Sequence, residues 1–261
     1  MSQSGQTAGH RLNQMPDLDE VGWSDLAAAL AAGWRDFRAA PLYGLAFSLV
    51  YVLGGWLVVW AVTAKGQLWW TLPAAAGFPI LGPFIACGFY EISRRLEAGE
   101  ALDWPGIAGV ILRQKDRQIP SIAAVIVIFF LFWNFLSHMI FALFLGHATL
   151  TNITTSLTVF LTPEGLTMLV VGTAVGAVFA TVLYAITVIS LPLLLDREVD
   201  FVTAMISSFA LVRDNPLVML GWGTLIGVSL FLAMLPGFLG LLVVLPVLGH
   251  ASWHLYRRVT A

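Results

Sequence analysis

The chain has 261 residues, of which 59% are hydrophobic and 11% are charged, and its formal net charge is −2. Soluble domains are about 45–50% apolar and about 25% charged, so this composition excludes a chain covered by a polar surface, and a lipid bilayer is its expected solvent. The near-neutral charge and the lack of a basic tail predict no nucleic-acid partner. The single cysteine, Cys87, excludes an internal disulfide.

Residues 1–23 precede the first apolar run and are predicted to form a disordered polar tail. They lack an apolar core of about 7–15 residues, so they do not read as a secretory signal peptide. Residues 24–261 are predicted to form a single integral membrane domain.

Six apolar runs are long enough to cross the hydrocarbon core, which takes about 20 helical residues. They cover residues 41–63, 69–90, 120–145, 166–194, 216–235 and 237–256. Between the last two runs, Pro236 and Gly237 predict a turn joining two helices rather than one long helix. The predicted fold class is therefore all-α, with six transmembrane helices in three hairpins.

Basic residues are distributed unequally between the two sides of this arrangement. Of the 13 lysines and arginines, all but Lys65 fall in the N-terminal segment, the 91–119 and 195–215 connections, or the C-terminus. Because positively charged loops remain in the cytoplasm, both termini are predicted to be cytoplasmic.

Two parts of the chain superpose when one is displaced by 175 residues. Asp25, Arg38 and Pro41 then fall on Asp200, Arg213 and Pro216, and the apolar stripe Leu26, Leu30, Trp34, Phe37 falls on Phe201, Met205, Phe209, Val212. This stripe occupies one helical face. Each copy is therefore predicted to be an amphipathic helix in the cytoplasmic leaflet, then R-x-x-P, then a membrane span.

A third, degenerate copy is indicated by Arg117 and Pro120 at the start of the third span. The repeat units cover about residues 24–95, 103–164 and 196–258. Proline suits the first turn of a helix, and arginine can lie at headgroup depth, so R-x-x-P is interpreted as a corner into the membrane. The alternative is a site specific for a lipid or a partner. Such a site is expected where the two copies differ: "RDNPL" (213–217) has Asp214 and Asn215 where "RAAPL" (38–42) has two alanines.

The spans contain one candidate polar site. Pro79 and Pro83 lie four residues apart in the second span, and Asn134 and His138 share a face of the third. Prolines that free backbone carbonyls, together with intramembrane polar residues, are typical of transport pathways. A simple proline kink is the favoured alternative.

His250 and His254 are one helical turn apart in the sixth span. They could supply two metal ligands, but no Cys, Asp or Glu is near in sequence to complete a site, so a hydrogen-bonding pair is favoured. A haem shared with His138 is disfavoured, because the depths of His138 and His250 differ by roughly 15 Å. No cofactor and no catalytic residue are predicted, since Gly-rich phosphate loops and hydrolase motifs are missing.

Three stretches carry a family resemblance: "GFPILGPFIACGFYEISRRLEAGE" (77–100), "SLPLLLDREVDFVTAMISSFALVRDNPLVMLGW" (190–222) and "LPVLGHASWHLYRR" (245–258). Together they resemble the bacterial integral-membrane family called domain of unknown function 2189. The resemblance implies a multi-pass protein of the bacterial inner membrane, and it implies no activity. It directs attention to a candidate interfacial patch: Glu91, Arg94, Arg95, Asp196, Arg197, Asp200, Arg213, Asn215, His250, Trp253 and His254.

Two functions follow as hypotheses. The first is a non-enzymatic accessory, scaffold or assembly component whose cytoplasmic-leaflet surface binds lipid or another membrane protein or complex. The alternative is a small permease or channel that uses the proline-rich second span with Asn134 and His138. An enzyme using His250 and His254 with a metal is the least supported.

Overall fold

The computed structural model describes residues 18–65, 71–146 and 160–260, and gives the backbone alone for residues 62, 64, 65 and 71–79. Residues 1–17 of the predicted 1–23 tail lie outside the described residues, as do residues 66–70, 147–159 and 261, whereas residues 18–22 are described and Trp23 begins the first helix. Everything described is helical or irregular, so the predicted all-α class is confirmed for this part of the chain.

Ten α-helices make up the described part. They are α1 (Trp23–Ala39), α2 (Pro41–Lys65), α3 (Thr71–Ala98), α4 (Trp104–Arg113), α5 (Ile119–Leu145), α6 (Pro163–Thr187), α7 (Ser190–Asp196), α8 (Phe201–Asp214), α9 (Pro216–Met234) and α10 (Leu241–Val259). A 3-10 helix, Gln114–Asp116, joins α4 to α5.

Prolines and short acidic side chains set the helix boundaries. Proline occupies the first or second position of α5, α6 and α9, where its missing N–H is harmless. Asp103 and Asp200 accept hydrogen bonds from backbone amides in the first turns of α4 and α8. Pro192 cannot donate to the carbonyl of Val188, and the chain is irregular there, between α6 and α7.

Within the described residues, four segments are long and apolar enough to cross a membrane: Pro41–Ala61, Ile119–Leu145, Pro163–Asp196 and Pro216–Met234. The other two predicted spans, 69–90 and 237–256, coincide with α3 and α10, which are helical but less apolar over their described lengths. Pro79 and Pro83 do not interrupt α3, which is continuous from Thr71 to Ala98.

The predicted turn between the last two spans is present. Between α9 and α10, Gly237 and Phe238 have positive φ angles of 62° and 68°, which glycine adopts readily. The indole Nε1 of Trp56 on α2 donates a hydrogen bond to the Gly237 carbonyl at 2.8 Å. This contact ties the turn to α2.

Helix α10 lies at the centre of the packing. Its buried side chains include Leu248, Ala251, Trp253, Leu255 and Tyr256, all part of the main hydrophobic core. It packs against α1, α2 and α3. A helix enclosed by other helices needs fewer apolar side chains than one that faces lipid, which accounts for the lower hydropathy of α10.

Each short amphipathic helix packs against a long helix that comes earlier or later in the chain. Helix α1 packs along α10, α4 packs against α3, and α8 packs against α6 and α7. The residues just before α1 join the same contact: the Asp19 amide donates to the Val259 carbonyl at 3.1 Å, and Val21 is buried. The N-terminal and C-terminal parts of the described chain are therefore adjacent.

The apolar stripe of α1 is only partly buried. Leu26 and Phe37 are buried, whereas Trp34 is 46% exposed, and Phe209 at the matching position of α8 is 48% exposed. The buried side of α1 is built instead on Ala29, Ala32 and Gly33. These small residues allow α1 to approach the α10 backbone closely, and the Trp34 side chain remains exposed beside this contact.

Candidate functional site

Polar side chains gather at one end of the helical body, where the C-terminal ends of α3, α7 and α10 meet α1. We call this region the polar end, and define it by Asp36, Glu91, Ser93, Arg94, Arg95, Glu97, Asp196, His250, Trp253, His254, Tyr256 and Arg257. It contains seven residues of the predicted interfacial patch: Glu91, Arg94, Arg95, Asp196, His250, Trp253 and His254.

Glu91 is the most buried charge of the polar end, with its side chain 2% exposed. Arg94 binds it through two nitrogens, at 2.8 and 2.9 Å, and Arg95 Nε donates to it at 2.7 Å. Such charge-assisted bonds compensate the cost of burying a carboxylate. Burial acts to raise the pKa of Glu91, but the two arginines outweigh it, so this pKa lies below its usual value.

Arg95 continues from Glu91 to helix α4. Its Nη1 donates to Asp103 Oδ1 at 2.7 Å and to the Ala101 carbonyl at 3.0 Å. The other oxygen of Asp103 caps α4 by accepting from the Gly106 amide at 2.8 Å. A Cβ at Gly106 would lie 2.5 Å from the Arg95 guanidinium, so a larger residue there would displace the Arg95 or Asp103 side chain. This first group therefore fixes α4 against α3.

His254 bridges two helices through both of its ring nitrogens. Nε2 lies 2.7 Å from Asp36 Oδ2 on α1, and Nδ1 lies 3.1 Å from Glu97 Oε1 on α3. The Asp36 contact is a hydrogen bond that the carboxylate accepts, and the Glu97 contact is an approach at ion-pair distance. The Trp253 indole donates to the second oxygen of Glu97 at 3.1 Å.

Asp36 is held in its charged form by these neighbours. Burial acts to raise its pKa, but hydrogen bonds from His254 and Ser93 act in the opposite direction, and the net effect is a pKa below the usual value. Asp36 and Glu91, the two carboxylates of the polar end with lowered pKa values, are therefore ionised at neutral pH.

His250 is fully buried one turn deeper on α10. Its Nδ1 lies 2.8 Å from Ser93 Oγ and 3.1 Å from the Phe89 carbonyl. A carbonyl can only accept, so the contact with Phe89 places a proton on Nδ1. Nε2 has no hydrogen-bond partner among the described residues. His250 thus joins α10 to α3 through one ring nitrogen.

The end of α7 reaches α10 through Asp196 and Arg197. The Tyr256 hydroxyl donates to Asp196 Oδ2 at 2.7 Å, and Arg257 Nη1 lies 3.9 Å from the same oxygen. Arg197 Nη2 lies 3.5 Å from the Thr260 carbonyl. These contacts complete a set of links in which α10 touches α1, α3 and α7.

The remaining patch residues act locally at α8 and α9. Asp200 caps α8, accepting from the Val202 and Thr203 amides at 3.0 and 2.9 Å. Arg213 pairs with the adjacent Asp214 at 2.7 Å. Asn215 accepts from the Val21 amide at 3.0 Å, so it ties the entry of α1 to the α8–α9 corner. Asp200 and Arg213 are not brought into the polar end.

The candidate intramembrane polar site is not assembled as a cluster of facing side chains. Asn134 donates to the carbonyl of Phe130 on its own helix at 3.1 Å, and His138 Nδ1 lies 2.7 Å from the Asn134 carbonyl. His138 is exposed on the outside of α5, whereas Pro83 is buried in α3. The Pro79 side chain lies outside the described residues.

Five residues of the polar end lie outside the predicted patch: Asp36, Ser93, Glu97, Tyr256 and Arg257. The inward position of Asp36 could have been predicted from the sequence. Asp36 lies three and four positions after the small residues Gly33 and Ala32, so the three share one face of α1. Its partner His254 is 218 residues away, so local spacing could not pair them. Across the described residues, no three His, Cys, Asp or Glu side chains are placed to share a metal ion.

Comparison with known proteins supports the family resemblance. Residues 71–196 match the family model described as predicted integral membrane protein (DUF2189). The match contains all of the first resembling stretch and the beginning of the second, while the stretch at 245–258 lies outside it. No curated protein and no solved structure matches the chain. The family match and the apolar helices make this an integral membrane protein, and the family description names no activity.

Proposed function

We propose that the protein is a six-span protein of the bacterial inner membrane with both termini in the cytoplasm. Four helices have the length and hydropathy of spans, and α3 and α10 supply the other two. The distribution of basic residues supports the orientation, because Lys65 alone falls on the opposite side. The polar end then lies at the cytoplasmic leaflet.

We further infer an internal repeat, supported by matching positions of α1 and α8. The buried positions of α1 and their counterparts in α8 agree: Ala29, Ala32, Gly33 and Phe37 match Ala204, Ser207, Ser208 and Val212. The residue before each proline has the same backbone conformation, with φ and ψ of −133° and 52° at Ala40 and −125° and 54° at Asn215. The third copy diverges, since Ile119 before Pro120 is already helical.

The function that the geometry supports best is that of a non-enzymatic accessory, scaffold or assembly component acting at the cytoplasmic leaflet. The observation that carries it is the His254 bridge, which joins α1, α3 and α10 through two carboxylates. Bonds of this kind hold a surface in one shape, and a preformed surface binds a partner at lower entropic cost. Arg257 and Arg258 stay half exposed beside this bridge, each in an ion pair at 3.3 Å or more, and a partner can contact their exposed faces.

Affinity purification from native membranes at the natural expression level tests this proposal. We expect a specific membrane protein or lipid to co-purify with the wild type, and to be reduced several-fold with Arg257→Gln/Arg258→Gln. Lys65→Gln, on the opposite side of the proposed topology, is the matched control. Recovery of the protein alone in every mild detergent would overturn the proposal.

A small permease or channel remains the second candidate. The unpartnered Nε2 of the buried His250 favours it, since polar groups enclosed in membrane proteins often mark transport pathways. Asn134 and His138 make hydrogen bonds within their own helix, so they give the permease weaker support. Flux into reconstituted vesicles, measured for wild type and His250→Ala, decides between the two: no flux of any ion or solute class would remove the permease.

A further inference from the structure

Two corners of the fold share a shape but differ in charge. The corners are numbered in chain order, with the corner at Arg117 and Pro120 as the second. The first corner, residues 34–42, joins α1 to α2, and the third corner, residues 209–217, joins α8 to α9. Each exposes an aromatic ring near the end of its amphipathic helix and a leucine at the second position of the span. The exposed leucines are Leu42, at 73%, and Leu217, at 80%.

The third corner is electrically neutral. Arg213 makes two hydrogen bonds with Asp214, at 2.7 and 3.1 Å, and both side chains are exposed. The position that corresponds to Arg35 is Ala210, so this corner carries one cation and one adjacent anion. It offers no uncompensated positive charge.

The first corner carries two arginines without such compensation. Arg35 and Arg38 are exposed, and neither lies within 4.0 Å of a carboxylate in the described part of the chain. The acid next to them in sequence, Asp36, points inward and is bonded to His254 at 2.7 Å. The contact that locks α1 onto α10 therefore leaves both guanidinium groups free on the opposite side.

We propose that the first corner binds the phosphate of an anionic phospholipid headgroup. A guanidinium matches phosphate geometry and stays charged at every relevant pH. The flanking Trp34 and Leu42 suit the interface and the upper acyl chain, so the occupant carries a phosphate and an apolar part together, as a phospholipid does and a soluble anion does not. The inference rests on the proposed placement of α1 in the cytoplasmic leaflet.

Lipid titration of the purified full-length protein tests this site. Binding of phosphatidylglycerol and of phosphatidylcholine is measured by native mass spectrometry in a mild detergent. One cation near an anionic lipid surface contributes about fivefold in affinity. We expect Arg35→Gln/Arg38→Gln to weaken phosphatidylglycerol binding about 25-fold and phosphatidylcholine binding much less, because choline offsets the phosphate charge. An unchanged melting temperature shows that the variant is folded.

The third corner provides the matched controls. Arg213→Gln is expected to leave phosphatidylglycerol binding at the wild-type level, because that charge is already compensated. Asp214→Asn removes the acid that pairs with Arg213. The third corner is then expected to bind phosphatidylglycerol as a second site, with an affinity about fivefold below that of the first corner and its two arginines. If Arg213→Gln and Arg35→Gln/Arg38→Gln weakened phosphatidylglycerol binding equally, the proposal of a specific site at the first corner would be overturned.

Two further outcomes separate the possible failures. Glycerol phosphate that displaces phosphatidylglycerol completely at low concentration would show a soluble-anion site and overturn the lipid proposal. Unchanged phosphatidylglycerol binding in Arg35→Gln/Arg38→Gln would also overturn it. If a protein partner still co-purifies in that case, the proposed accessory function stands and the lipid site alone is removed.

Discussion

The Asp36 carboxylate lies 2.7 Å from His254 Nε2, although 218 residues separate the two in the chain. At the matching position of α8 the residue is Leu211, which is 1% exposed. Leucine therefore fills this position well where α8 packs against its neighbours. In α1 the same position carries a charge, so the helix gains a directional contact with α10 rather than a purely apolar one.

The first prediction concerns this contact. Asp36→Asn keeps the shape but removes the charge that faces His254, and we expect unfolding in detergent to become easier by about 1–3 kcal/mol. The matched control is Asp25→Asn, whose partner Arg258 lies at 3.3 Å in an exposed pair, for which about 0–1 kcal/mol is expected. Thermal unfolding of both variants provides the comparison, and equal effects would contradict a special role for Asp36.

Acid should destabilise the protein through Asp36 and Glu91. The pKa of each lies below its usual value of 3.8 or 4.5 in the folded state. Such groups contribute stability above the unfolded pKa and lose it as pH falls through the folded pKa. We expect the melting temperature to change little through these groups from pH 7 to 5 and to drop below about pH 4.5.

The control for this pH dependence is the double variant Asp36→Asn/Glu91→Gln. It lacks both carboxylates, so its melting temperature should start lower at neutral pH and fall less between about pH 5 and 3. A pH profile parallel to that of the wild type would show that other groups dominate.

Glu91→Gln alone should be among the most damaging substitutions at the polar end. It leaves Arg94 and Arg95 without the carboxylate that both contact, in a setting where Arg95 is 13% exposed. We expect a loss of about 1–3 kcal/mol, because both arginines lose their most buried partner, although Glu100 still pairs with Arg94 and Asp103 with Arg95. Glu100→Gln, which removes a partly exposed partner of Arg94, should cost about 0–1 kcal/mol in the same thermal unfolding assay.

A pair of glycines tests the packing of α1 on α10. A Cβ at Gly33 would lie 2.6 Å from the Val247 carbonyl oxygen and the Ala251 amide nitrogen, both backbone atoms that cannot turn away. Gly33→Ala should therefore destabilise by about 1–3 kcal/mol. Gly172 on α6 has no neighbour within 4 Å of its Cβ position among the described residues, so Gly172→Ala should be neutral or stabilising by up to about 1 kcal/mol. Similar losses at both sites would contradict this packing.

Helix positions could largely be predicted because their signals are local. Pro41, Pro120 and Pro216 mark the starts of long helices, and Pro236 with Gly237 marks the turn before α10. Partner choice is not local. His250 and His254 could be picked out by type, but Ser93 and Glu97 approach them only once α3 and α10 pack, and those contacts span 157 residues.

Hydropathy also could not assign the faces of the amphipathic helices. Trp34 extends the apolar stripe of α1, yet it is exposed, while Gly33 beside it makes the tight contact with α10. In a membrane protein an apolar side chain is satisfied by lipid as well as by protein. Side-chain size, rather than polarity, decided which face packs.

The adjacency of α1 and α10 has a consequence for biosynthesis. Helix α1 leaves the ribosome early, but its principal docking surface belongs to the last described helix, and the Asp19 amide reaches the Val259 carbonyl beside it. Until that helix is made, the small-residue face of α1 lacks its main native contact and Asp36 lacks His254. The native packing of α1 therefore forms only after α10 has been synthesised, and a chaperone that shields α1 during this interval would raise the yield of folded protein.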